Sequence, residues 1–186
     1  MATEAYAAAS CWQDDVMDYH LAQVNIGRML ASLDSPGLAG FVAELEPLNA
    51  LADAAPGFVW RLQTEDGNAT SVRAFEWDEA GSAGVLVNMS VWESVEALAA
   101  FVYSGPHLAV LRRRREWFER MRESYSALWW VPAGVRPAVA DAEDRIRLLR
   151  AHGPTPAAFT LRQSFPPPGA ADARPRQAPD DWMCPA

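Results

Sequence analysis

Tyr19–Met29 reads YHLAQVNIGRM, with apolar residues at alternate positions. That two-residue period is the signature of a β-strand whose faces differ. Ala22, Val24 and Ile26 share one face, while Leu21, Gln23 and Asn25 share the other. Amides on a strand that should be covered need protein partners, water or a ligand. This strand sets both the fold expectation and the first candidate site.

Working outward, LDSPGLAGFVAELEPLNALADAAPG (33–57) carries helix signals. Asp34 or Ser35 can cap, Pro36 suits a first turn, and Pro56-Gly57 stops the run. Pro47 should kink or split that helix. FVWRLQT (58–64), TSVRAF (70–75) and VLVNMSVWE (85–93) read as strands separated by glycine turns. A helix is expected over 94–103 with Ser94 as its cap, then an arginine-rich helix, the strand SALWWVP (126–132), a helix over 138–151 and a last strand, AFTLRQSF (158–165). Helices interleaved with antiparallel hairpins define an α+β class rather than a doubly wound parallel sheet. Residues 1–18 read as an N-terminal extension and 19–168 as the folded domain. Residues 169–186 continue a proline-rich stretch without apolar period and read as a disordered tail.

Composition narrows the chemistry. The 186 residues carry a net charge of -8, which disfavours nucleic acid and anionic membrane as partners. All 16 basic residues are arginines, so Schiff-base chemistry, pyridoxal phosphate anchoring and a P-loop are excluded. Cys11 and Cys184 make no disulfide framework or zinc spacing, and with three histidines no structural metal is expected. The N-terminus has neither the basic start nor the apolar stretch of a secretory signal, which points to the cytoplasm.

PHLAVLRRRREWFERM (106–121) holds four consecutive arginines. On a continuous helix turning about 100° per residue, Val110, Leu111, Phe118 and Met121 lie within roughly 60° of His107, and Arg114 lies only about 20° from it. Arg112 points almost opposite. Arg112, Arg113 and Arg115 are thus expected in solvent, paired with Glu116 or Glu119. Arg114 faces inward, where a guanidinium requires a carboxylate, carbonyls, an anion or a route to water. His107, in the first turn, is expected neutral because the positive end of the helix dipole opposes its charge.

Several longer stretches resemble a known bacterial family. EPLNALADAAPGFVWRLQTEDGNAT (46–70), VLVNMSVWESVEALAAFVY (85–103), HLAVLRRRREWF (107–118) and the run from Leu128 to Pro168, together with YHLAQVNIGRM, are similar to the family called domain of unknown function 3291. Glu46 departs from it, since the family more often shows Asp there. The resemblance covers roughly residues 19–168. It implies a ferredoxin-like antiparallel sheet with helices on one face, paired in a homodimer as a dimeric α/β barrel. That superfamily includes cofactor-free monooxygenases of aromatic polyketides and haem enzymes, and the family brings no settled activity.

Three functions are carried forward. The first is a pocket between helices and sheet for a small apolar or aromatic molecule, which the chain binds or transforms. The superfamily resemblance implies oxygenation or rearrangement without a cofactor, with His107 as general base and Arg114 or Asn88 holding an oxyanion. Gln23, Asn25, Asn49, Trp60, Asn88, Ser90, Trp92 and Phe118 would line the pocket. The second is haem binding with His107 as axial ligand and Arg114 near a propionate. The third is a non-catalytic dimeric module.

Overall fold

A computed structural model of the chain describes residues 18–79 and 81–178. Within them the α+β class holds. Four antiparallel strands, β1 (Tyr19–Arg28), β2 (Phe58–Arg61), β3 (Val85–Trp92) and β4 (Ser126–Pro132), form one sheet in the order β2-β3-β1-β4. Helix α1 (Ala39–Asp53) joins β1 to β2; α2 (Val95–Val102) and α3 (Gly105–Arg113) join β3 to β4. This is the ferredoxin-like arrangement. Helix α4 (Val139–His152) follows β4, and a small hairpin of β5 (Gln163–Ser164) and β6 (Arg176–Gln177) follows that.

The alternation in β1 sorts the core into two layers. Ala22, Val24 and Ile26 pack with Val87, Met89 and Val91 of β3 and with Ala127, Trp129 and Val131 of β4. Ala142, Ile146 and Leu149, on one stripe of α4, cover this face. Leu21 on the opposite face packs with Trp92, Leu128, Phe159 and the α2 residues Val95 and Leu98. Helices therefore cover both faces, α1–α3 on one and α4 on the other, where helices on one face alone were expected.

Other boundaries differ for identifiable reasons. α1 runs through Pro47 as one element. Pro47 and Ala43 are both exposed, so water can satisfy the carbonyl that the proline leaves without a donor. Neither Asp34 nor Ser35 caps it; α1 begins after Leu38 with no side-chain cap. Ser94 does cap α2, accepting a hydrogen bond from the Ala97 N–H at 3.1 Å.

The strand expected at 70–75 is a loop. It ends at Phe75, a fully buried residue in the left-handed region (φ 57°) whose N–H donates to Glu143 Oε1 at 2.7 Å. Phe75 leads into a 3-10 turn, Glu76–Asp78, that turns Asp78 inward. The strand expected at 158–165 is reduced to a bridge, Phe159 exchanging two backbone hydrogen bonds with Leu128, followed by β5. Its partner β6 lies at Arg176–Gln177, inside the segment expected to be a disordered tail. Ala178 N–H also donates to Arg162 O at 2.8 Å, so structure continues to the end of the described chain. The extension through residue 17, with Cys11, and the last eight residues, with Trp182-Met183 and Cys184, lie outside the described residues.

Gly57 stitches the two halves together. Its carbonyl accepts the Glu93 N–H at 2.8 Å, its φ is +77°, and an added Cβ would lie 2.7 Å from Ala97 Cβ. A methyl on Cα cannot rotate away from that contact. Gly57→Ala is expected to cost about 2–4 kcal/mol, from left-handed strain plus overpacking. Urea unfolding should show the loss, whereas Gly67→Ala has the strain without any contact and should cost less.

Candidate functional site

Apolar side chains on the α1–α3 side of the sheet gather at its two ends. Leu21, Trp92, Leu128 and α2 form one cluster. Met29, Leu38, Phe41 and Trp117 form the other, with Leu86, Val110 and Phe118 against them. Between the two, the register sets Asn25 opposite Asn88 and Gln23 opposite Ser90. Gln23 is buried, and its Nε2 donates to Asn88 Oδ1 at 3.0 Å and to Ser90 Oγ at 2.9 Å. Asn25 Nδ2 donates to Gln23 Oε1 at 3.4 Å.

Asn25 and Asn88 are exposed although they sit on the two central strands. The helices above explain this. The buried residues of α1 are Phe41 and Ala52, near its two ends, and α3 has none. Between the ends of α1, Leu45, Leu48 and Asn49 are only half-buried. The polar band is thus a wet floor between two dry ends.

Trp92 ties this floor to His107. The Trp92 Nε1–H donates to Ser90 Oγ at 2.8 Å, its ring stacks on Phe101 at 5.1 Å, and Phe101 lies 4.8 Å from the His107 ring. His107 Nδ1 is 2.9 Å from the Val102 carbonyl, which can only accept, so the proton belongs on Nδ1 and the lone pair on Nε2. Burial lowers the His107 pKa, while the bond to Val102 acts the other way. The imidazole is held neutral chiefly by desolvation, where the sequence pointed to the helix dipole.

The remaining candidates lie elsewhere. α3 stops at Arg113 and a 3-10 turn covers Arg114–Glu116, because the next residues are drawn to the end of β1. Leu30 N–H donates to Trp117 O and Glu119 N–H to Arg28 O. The continuous helical phase therefore fails beyond Arg113. Arg114 is half-buried; its guanidinium donates to the Tyr125 hydroxyl and lies 5.0 Å over that ring. Tyr125 packs against the α4-side core, so among the described residues Arg114 and His107 have no partner in common. Arg112 is exposed, and Arg113 pairs with Glu116 and Glu44. Trp60 packs on the α4-side core, away from the amides. Phe118 meets Phe41 edge-on at 5.0 Å in the far apolar cluster.

An ionic cluster at the end of β1 escaped the sequence reading. Asp78, 4% exposed, accepts hydrogen bonds from Arg28 at 2.8 Å and from Arg150 at 2.6 Å. Arg28 also reaches Glu123 at 2.5 Å, and Arg147 and Arg150 lie over Trp77. Burial pushes the Asp78 pKa up, but the bonds from Arg150 and Arg28 outweigh it and hold the carboxyl below its ordinary value. A fully paired cluster of this kind is structural. The partners are 50 and 72 residues from Asp78, a separation that no local pattern reveals.

The fold and this site define a ferredoxin-like α+β domain with a polar band across the α1–α3 side of its sheet. A family model described as a domain of unknown function, DUF3291, matches residues 20–175, and the chain belongs to that family. No curated protein and no solved structure matches it. Among the described residues, no helix is long and apolar enough to cross a membrane.

Proposed function

We propose that the chain binds a small molecule with an apolar, often aromatic, body and a hydrogen-bonding group, seated over Gln23, Asn25, Asn88 and Ser90. The observation that carries this reading is the exposure of the cross-strand pair Asn25 and Asn88 in the middle of a sheet face whose ends are dry. Amide groups offer both donors and acceptors, and the apolar clusters at either end supply contact for the body. His107 connects to this floor through Phe101 and Trp92. The reading is one of binding; it assigns no chemical step.

1-Naphthol is a suitable probe because it combines a flat apolar body with one hydroxyl. Titration followed by NMR should move the side-chain amides of Asn25, Asn88 and Gln23 and saturate. Asn88→Leu should weaken binding about tenfold, the worth of one hydrogen bond and its unmet partner. The fold should tolerate the change, since Asn88 is exposed and Gln23 keeps Ser90. Shifts confined to other residues, or none that saturate, would leave the non-catalytic module as the better account.

A further inference from the structure

A cavity of about 300 Å³, sharing no lining residue with the amide floor, lies between the start of α2, the end of β4 and the segment after β5. Tyr19, Trp130 and Phe165 line it, together with Val95, Pro166 and Pro167. Its charged lining is lopsided, with the carboxylates of Asp18, Glu93 and Glu96 against the single guanidinium of Arg176. None of these four makes an ion pair among the described residues, although ten such pairs form elsewhere. The Trp130 ring is pinned, its Nε1–H donating to Phe165 O at 2.8 Å.

We infer that this cavity binds a small organic cation, an amine or quaternary ammonium with an apolar body. Three observations converge on that class. Aromatic rings attract cations through their faces, most strongly where water is partly excluded. Three carboxylates outweigh both Arg176 and the partial positive charge at the start of α2, which Glu96 already complements. The acids are also not gathered for a bare metal ion, since no group of three or more His, Cys, Asp or Glu among the described residues is spaced to hold one. The volume suits a small ligand rather than a polymer. This inference is independent of the amide floor.

The test uses the full chain at low ionic strength, where charge selectivity is least screened. Benzyltrimethylammonium, benzyl alcohol and benzenesulfonate are titrated in turn while NMR follows the Trp130 indole N–H and the amides of Ser94–Glu96. The ammonium should bind saturably, and the alcohol at least about tenfold more weakly. Glu93→Gln and Glu96→Gln should each weaken it about 3- to 10-fold. Arg176→Met should tighten it by removing the opposing charge. All three positions are exposed, so the fold is expected to survive each change. Preference for benzenesulfonate, with Arg176→Met abolishing binding, would make this an anion site and overturn the inference. So would the absence of saturable binding by any of the three.

Discussion

Replacing Asp78 with alanine should destabilise the protein by about 3–5 kcal/mol, the range for removing one partner of a buried charge cluster. The loss exceeds that of an ordinary ion pair because two guanidiniums converge on this one carboxylate. Arg28 is 13% exposed and Arg150 18%, so both charges would be left facing each other with little water. Arg28 would retain Glu123 and Arg150 the Ser124 carbonyl, which sets a floor under the fold. Urea unfolding measures the effect. A triple variant, Arg28→Met with Asp78→Leu and Arg150→Met, should recover much of it, since an apolar replacement carries no unpaired charge. A loss under about 1 kcal/mol for Asp78→Ala would mean the cluster behaves as an exposed one.

The same carboxylate predicts a pH dependence. Its folded pKa lies below the unfolded value, so folding favours the ionised form. The stabilisation is fully present above the unfolded pKa, near pH 4, and is lost as pH falls through the folded pKa. Asp78→Asn should flatten the acid limb of a stability–pH curve and leave its slope between pH 6 and 8 unchanged.

How legible all this was depended on range. The period of two in Tyr19–Met29 separated Ala22, Val24 and Ile26 from Leu21, Gln23 and Asn25, and the structure packs them on opposite faces. Alternation works because pleating is a property of the strand itself. By the same period Asn88 and Ser90 share one face of β3, and β-pairing brings them beside Asn25 and Gln23. The arginine helix shows the opposite case. Its phase held only to Arg113, because a contact with β1 more than 80 residues away in sequence ended it. A helical wheel has no term for a competing strand. Phe75 failed similarly: TSVRAF has strand composition, but Glu143 captures the Phe75 N–H and turns the chain. β6 was hidden in proline-rich sequence, because two residues of pairing leave no periodic trace.

Trp92→Ala should be the other severe substitution, with a loss of about 3–5 kcal/mol. Trp92 is 1% exposed, meets Phe58 edge-on at 5.4 Å and stacks on Phe101 at 5.1 Å. Truncation would empty the centre of the apolar cluster beneath α2 and remove the indole donor to Ser90, which would keep its bond from Gln23. The consequence reaches His107. Its ring rests on Phe101, and Phe101 rests on Trp92, so the alanine variant should admit water to the imidazole. Because burial is the main cause of the lowered His107 pKa, hydration should raise that pKa back towards its ordinary value. Trp92→Phe keeps an aromatic stack and loses only the donor, so it should cost less and leave the histidine titration nearly unchanged. NMR titration of the His107 ring in the three proteins separates the two effects. If Trp92→Ala unfolds at low denaturant yet leaves the His107 pKa where it was, the histidine is desolvated by other neighbours and the link from the amide floor through Trp92 and Phe101 is broken.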